Sequence, residues 1–463
     1  LSRSGELKLH QYQEDVIQRA LGRQHFAALL DPGLGKTIIT LEAFRRLREQ
    51  FEVSRLLVVA PLRVATSVWP AEVAKWEAFR DLRVQVLHKK TLRPELLQPG
   101  TADVLVTNPE SLFWLEKAAR RIRLPEMLAI DESTLFKHVT TKRSRVLRRL
   151  KGRFAKRLIL TGSPAPNGLQ DLHGQMHILH EDILGATLRE FRSRYCCAIP
   201  TRWGAKWEVR TEARADIYRA IRPWSVRLAA EDHLDLPNLV EINRSVTLPP
   251  RARKKYEELQ RDLATRWKAG DVTAANAGVL TAKLRQVASG SVYLDDEGAV
   301  QVHGAKIEAL RSLVEELSGK PLLVAYEFRH EIPMIQKGLY PVLQRKVPFI
   351  GGQTSAPEGD RLVRAWNRGE LPVLLVQAAS ASRGLNLQAG GHHLAWFTQT
   401  WNLEFRDQLI RRLYRQGQRE ERVVVHTLMA EDTVDQLVAL AVRRKAATQE
   451  ELFRALERRL GEV

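Results

Sequence analysis

At 463 residues the chain exceeds what a single core holds, so two or three domains are expected. Lysine and arginine number 73 against 54 aspartate and glutamate, and the net +19 favours a polyanionic partner, nucleic acid above all. The two cysteines are adjacent, Cys196 and Cys197, which excludes a disulfide framework and a cysteine zinc set; with no apolar run of membrane-spanning length, a reducing intracellular setting is expected.

From Leu9 onward an amphipathic helix is expected, with Val16, Ile17, Ala20 and Leu21 on one face. Gln13 lies on it, and a glutamine amide offers adenine both a donor and an acceptor. An apolar strand, Phe26 to Leu30, then runs into Asp31-Pro32-Gly33-Leu34-Gly35-Lys36-Thr37, and a helical run follows from Ile38 to Leu47. Strand, glycine turn and helix together aim backbone N–H groups and a helix N-terminus at a phosphate. Gly33, Leu34 and Gly35 form the cradle, Lys36 is placed for the β- and γ-phosphates, and the Thr37 hydroxyl for Mg²⁺. Leu30 stands where the general pattern has glycine. A turn that merely capped a strand would leave the Lys-Thr pair without a purpose.

Arg55 to Pro61 reads as a buried strand ended by proline, and Trp69 to Trp76 as a helix whose tryptophans suit the core better than a base-stacking platform. Val104 to Pro109 is a further strand with a polar end, Thr107-Asn108. Met127 to Glu132 is a third, and it ends in two carboxylates. Asp131 at that place suits a Mg²⁺ ligand, and Glu132 suits the base that polarises a water against the γ-phosphate. Two acids ending a buried strand are costly without a metal or ligand. Leu158 to Pro164 closes this half, with the hydroxyls of Thr161 and Ser163 expected to couple the nucleotide site to the neighbouring domain.

Between Asn167 and Pro237 the strand–helix rhythm breaks. Phe191, Tyr195, Trp203, Trp207, Tyr218 and Trp224 stand among arginines, which reads as a small helical insertion with DNA contact as a secondary role. Leu248 to Leu317 is helical in pattern. Strands then return at Pro321–Tyr326, Val347–Ile350, Val373–Val376 and His393–Phe397, with His392-His393 read as structural. Phe405 to Gln418 is expected as one helix closed by Gly417, placing Gln408, Arg412 and Arg415 on one face. Two arginines projecting together from a domain without its own P-loop suit arginine fingers, with Gln408 in a coupling role.

Taken in order, these motifs resemble a Swi/Snf-type member of the superfamily-two helicases over nearly the whole chain. They include Tyr12-Gln13, Gly33 to Thr37, Ala60-Pro61-Leu62, Asp131-Glu132, Leu160 to Pro164, Leu284-Arg285-Gln286, Gly384 to Leu387, Trp401-Asn402 and Arg412 to Gln418. The resemblance implies an α/β fold of two RecA-like parallel-sheet lobes in tandem with a mainly helical insertion between them: 1–166, 167–237 and 238–463. It implies a DNA-stimulated ATPase using ATP and Mg²⁺ on double-stranded DNA. By position, Gln13, Gly33 to Thr37, Asp131 and Gly384 would serve the nucleotide, and Lys36, Glu132, Arg412 and Arg415 the chemistry. Pro61, Leu62, Arg63, Thr107, Asn108, Ser380, Arg383, Trp401 and Asn402 would lie towards DNA or the lobe interface. The chain departs from the family in three motifs: Thr134 replaces a common histidine, Asp31-Pro32 precedes Gly33, and Tyr414 separates the fingers. A compact phage or bacterial member is expected, monomeric and cytoplasmic. A strand-separating DNA or RNA helicase and an ATP-gated clamp are the rival readings.

Overall fold

Valine-, isoleucine- and leucine-rich runs without polar alternation form strands buried on both faces, and such strands suit parallel sheets covered by helices. The computed structural model describes residues 6–88, 91–201, 204–269, 274–294, 298–381 and 385–443. Trp203, Arg383 and Gly384 therefore lie outside the described residues. The chain divides into two units, Leu1–Asp235 and Leu236–Val463.

In the first unit, six strands alternate with helices: β1 (His25–Leu30), β2 (Leu56–Val59), β3 (Val84–Leu87), β4 (Val104–Thr107), β5 (Met127–Asp131) and β6 (Lys156–Thr161). The segment expected as a mainly helical insertion carries helices Asp171–Leu179, Leu188–Tyr195 and Ala213–Ile221, and also three strands. Of these, β7 (Cys196–Thr201) and β8 (Gly204–Val209) form an antiparallel hairpin, and β9 (Ser225–Leu228) pairs parallel with β1. The first sheet thus has the order β3-β4-β2-β5-β6-β1-β9, every pairing parallel. The segment is integral to the first unit: Phe191 is fully buried in its core, with Tyr195, Trp207 and Trp224 packed against it. Arg227 in the middle of β9 masks the strand in the sequence.

Helices α1 (Gln11–Leu21) and α2 (Lys36–Glu49) pack together near β1. Ile39, Leu41, Phe44 and Leu47 of α2 are fully buried, each contributing roughly 1.5–3 kcal/mol. Arg46 of α2 pairs with Glu14 of α1 at 2.6 Å and with Glu42 at 2.7 Å, which fixes the register between them.

The second unit begins with β10 (Asn238–Val246), a nine-residue edge strand. After helices Pro250–Ala269 and Ala274–Ser289 come the antiparallel pair β11 (Ser291–Leu294) and β12 (Gly298–Gln301). The remaining strands are β13 (Leu322–Tyr326), β14 (Phe349–Ile350), β15 (Val373–Gln377), β16 (His393–Trp396) and β17 (Arg422–Ala430). Their order is β10-β17-β16-β13-β15-β14, again wholly parallel. Each unit is therefore a parallel α/β lobe, as the RecA-like reading requires. Neither β10 nor β17 was evident from periodicity, because charged and polar residues interrupt both. His393 lies in a buried histidine stack, its Nδ1 3.2 Å from His426 Nε2, while Arg244 donates to His426 Nδ1 at 3.2 Å. Among the described residues no set of three or more metal-ligating side chains gathers, and no helix is long and apolar enough to cross a membrane.

Candidate active site

Parallel pairing brings the ends of β1, β5 and β6 to one edge, Leu29 lying opposite Thr161 and Asp131 opposite Leu160. Loops beyond the carboxyl ends of parallel strands are where such sheets bind ligands. The P-loop leaves β1 there, Asp131 and Glu132 end β5, and Thr161 ends β6.

Within the P-loop, Gly33 and Gly35 have φ of 97° and 78°, conformations a side chain resists. A β-carbon on Gly35 would stand 2.4 Å from Gln13 Nε2. That closeness is functional packing, because Gln13 Nε2 donates to Leu34 O at 3.3 Å while its Oε1 accepts from His10 N–H at 3.0 Å. Gln13 thus clasps the loop from α1. Lys36 arches back over the turn, its Nζ donating to Leu30 O at 2.8 Å and Asp31 O at 3.3 Å. Leu30 is fully buried and supplies only its carbonyl, so glycine is not needed there. Leu34 is buried beneath the turn, and Thr37 sits in the first turn of α2, whose N–H groups and dipole favour an anion. These residues fit a nucleotide triphosphate.

Asp31, where the family differs, is 4% exposed and is held from β9. Arg227 Nη2 lies 2.9 Å from its Oδ1, and Ala230 N–H donates to its Oδ2 at 3.3 Å. The departure is paired within this chain.

Trp69, fully buried as expected, also donates its indole N–H to Asp131 Oδ2 at 3.0 Å and so orients that carboxylate. Thr37 and Asp131 offer the hard oxygen donors that Mg²⁺ prefers. Glu132 has φ 61° and ψ 61°, a left-handed conformation costing a bulky residue about 1–2 kcal/mol. Its Oε1 accepts from Thr134 Oγ1 at 3.0 Å and Thr161 Oγ1 at 3.1 Å. Thr134, in the place of the family histidine, therefore touches the candidate base directly. Ser163 N–H donates to Thr161 Oγ1 at 3.2 Å, which extends this chain to the turn after β6.

The residues expected towards DNA divide by exposure. Pro61, Leu62 and Arg63 follow β2 at the same edge, Leu62 being 42% exposed. A wide π-helical turn, Val64–Val68, follows them, a form often found at functional sites. Thr107 and Asn108 are buried instead. Thr107 donates to Leu87 O at 2.8 Å and Asn108 accepts from Ser111 Oγ at 2.6 Å, so they brace their loop.

In the second unit, Ser380 is half-buried and donates to Gln377 Oε1 at 3.2 Å. Asn402 caps helix Leu403–Ile410 by accepting from Phe405 N–H at 3.1 Å. That helix stops at Ile410, and this corrects the expected helix from Phe405 to Gln418. Arg412 and Arg415 stand on consecutive turns, held by Leu413 N–H to Ile410 O at 3.0 Å and Tyr414 N–H to Ile410 O at 2.9 Å. Leu413 is drawn fully into the core, and Gln418 Nε2 donates to Gly391 O and Leu413 O, which folds the chain out of a helical path. The two arginines still converge: Arg412 donates to Leu385 O at 3.4 Å and Arg415 to Asn386 Oδ1 at 2.8 Å. Gln408 does not share their face; it is buried, its Nε2 on Glu404 Oε1 at 3.3 Å.

Arg285 has no role legible from its place in the sequence. It is 4% exposed, donates to Gln399 O at 2.7 Å and lies between the rings of Trp401 (4.8 Å) and Phe328 (5.4 Å). Leu284-Arg285-Gln286 was the available signal.

Comparison with known proteins gives the family. A model of the SNF2-related domain matches residues 16–290, and one of the helicase conserved C-terminal domain matches residues 305–417. Putative protein p41 of Acyrthosiphon pisum secondary endosymbiont phage 1 is 33% identical, covering 97% of this chain and 98% of its own. The putative ATP-dependent helicase/translocase YwqA of Bacillus subtilis is 26% identical over 92% of this chain and 46% of its own. Mouse DNA annealing helicase and endonuclease ZRANB3 is 26% identical over 95% and 40%. The chain thus spans nearly all of the phage relative and less than half of the other two. A solved Sulfolobus solfataricus SWI2/SNF2 ATPase core in complex with dsDNA aligns at 23% identity and TM-score 0.44, covering 96% of this chain and 92% of that one. With a family model matching more than half its length and a P-loop facing an Asp-Glu strand end, the chain belongs to the SNF2-related family of helicase-like ATPases.

Proposed function

We propose that the chain is a DNA-stimulated ATPase that moves along double-stranded DNA as a monomer in the cytoplasm of a bacterial or phage-infected cell. The observation that carries this reading is the meeting of Lys36, Asp131 and a doubly held Glu132 at one sheet edge. A second lobe without a P-loop presents Arg412 and Arg415 together. In this reading Lys36 and the first turn of α2 bind the phosphates, and Thr37 and Asp131 would hold Mg²⁺. Such an ion supplies charge neutralisation on the β- and γ-oxygens when bound. Glu132 orients the attacking water and accepts its proton. Arg412 and Arg415 stabilise charge developing on the γ-phosphate, and their engagement and release accompany lobe closure and opening. Pro61, Leu62, Arg63, Ser380, Arg383, Trp401 and Asn402 lie towards DNA or the lobe interface, with Thr107 and Asn108 bracing from inside.

The names of its relatives, a helicase/translocase and an annealing helicase, support a DNA substrate, as does the +19 charge. The test is ATP turnover with duplex DNA, single-stranded DNA and RNA. Stimulation by duplex DNA well above the other two is expected; turnover indifferent to all three would overturn the reading. Hairpin β7–β8 favours a second reading, strand separation, because a hairpin can serve as a wedge.

A further inference from the structure

Residues 227–234 lie between the nucleotide site and the point where the chain passes into the second unit at Leu236. They touch that site at four places. Arg227, opposite Leu29 in the β1–β9 pairing, sends Nη2 to Asp31 Oδ1 at 2.9 Å and Nη1 to Gly162 O at 3.0 Å. Asp31 N–H donates to Leu228 O at 3.2 Å, and Ala230 N–H returns a bond to Asp31 Oδ2 at 3.3 Å. The His233 ring lies 4.9 Å from that of Tyr12, the neighbour of Gln13. Leu234 Cδ1 lies 3.5 Å from where a β-carbon on Gly33 would stand. Gly162, after Thr161, in turn packs on the P-loop: a β-carbon there would meet Pro32 Cδ at 2.8 Å.

One guanidinium therefore ties together the P-loop, the turn after β6 and the strand that leaves the first unit. A surface ion pair alone would merit little weight, but Asp31 is buried and Arg227 also satisfies two carbonyls, the second being Leu29 O. We infer that Arg227 is a positioning residue. Acting through Asp31, it makes residues 227–234 a strap that passes the state of the phosphate loop to the segment entering the second unit. The departure at Asp31 and the arginine in β9 are two halves of one device. The inference rests on the DNA-stimulated ATPase reading.

The test compares Arg227→Met, Arg227→Lys, Asp31→Asn and the Asp31→Asn/Arg227→Met double variant in the full chain. ATP turnover is measured with and without duplex DNA, alongside KM for ATP and thermal stability. For Arg227→Met stimulation by DNA should fall about tenfold or more, and by a clearly larger factor than the DNA-free rate. Arg227→Lys, which keeps the charge on Asp31, should recover part of it. The double variant should be no worse than its poorer parent, since both changes cut the same tie. Equal loss of DNA-free and stimulated rates, or additive losses, would overturn the strap and make Arg227 an ordinary structural residue. So would full stimulation in Arg227→Met. Wild-type turnover that ignores DNA would overturn both the strap and the proposed function, so the two failures are told apart in one experiment.

Discussion

Glu132 has two unusual properties at once: a left-handed backbone and a carboxylate oxygen shared by two threonine hydroxyls. Replacing it by glutamine keeps the shape and removes the proposed base. Glu132→Gln should bind a fluorescent ATP analogue normally while phosphate release falls about 10²–10⁴-fold. Lys36→Ala should instead weaken binding itself. Release at the wild-type rate by Glu132→Gln would remove Glu132 from the base role. Gly35→Ala must fail differently, because its β-carbon collides with the Gln13 amide in a φ region costly to alanine. It should raise KM for ATP with a loss of about 1–2 kcal/mol in unfolding free energy, read from denaturant titration. At this scale the sequence was most legible where chemistry needs a fixed order along the chain, as in Gly-x-Gly-Lys-Thr. It was least legible where partners are distant: nothing in the spacing of Asp31 and Arg227, or of Trp69 and Asp131, announces that they touch.

Among the elements, runs such as Leu56–Val59 and Leu322–Tyr326 announced themselves because strands covered on both faces have no polar alternation. Edge strands did not: β10 is exposed at Leu239, Val240 and Ile242 and carries Glu241 and Arg244, so its pattern resembles a loop. The finger segment misled in the opposite way. Its three- and four-residue spacing is helical, yet buried Leu413 and the Gln418 amide bend it into turns. Turns converging on Leu385 and Asn386 still hold both arginines, so Arg412→Ala and Arg415→Ala should each cut turnover by about a thousandfold with ATP affinity nearly unchanged. Arg411→Ala should be mild; equal damage from all three would assign the segment a folding role. The buried histidines make a separate prediction. Burial, the largest cause, lowers His330 and His426 to about 4 and His393 to about 3, and nearby Arg244 adds to it for the last two. The unfolded chain then binds protons more tightly, so this stability is complete above about pH 6.5 and is lost as pH falls towards 4. Melting of the second unit should drop across that window, and His426→Asn should flatten the dependence; a melting point constant from pH 7 to 4 would refute it.

For the whole molecule, the proposed sequence-independent phosphate grip and the +19 charge predict DNA affinity that falls steeply with salt. They do not predict strand separation, which needs a wedge. Most aromatics of the 191–224 segment are committed to the first unit's core, Trp207 lying under Arg192 at 5.2 Å. The protein should displace a third strand from a triplex in an ATP-dependent way and leave a forked duplex intact. Fork unwinding at a comparable rate would sink this and make the β7–β8 hairpin the wedge to dissect.

The pairing of β10 with β17 matches Asn238 with Arg422 and Val246 with Ala430. On a ribosome the first lobe has all seven strands of its sheet once Leu228 has emerged, and it can fold at once. The second lobe's opening strand must wait for almost its entire domain before its partner β17 is made. During that interval it is an unpaired strand with four apolar side chains, Leu239, Val240, Ile242 and Val246. Synthesis therefore yields a finished nucleotide-binding half beside an aggregation-prone nascent one, and the hazard ends only when the last strand is threaded into place.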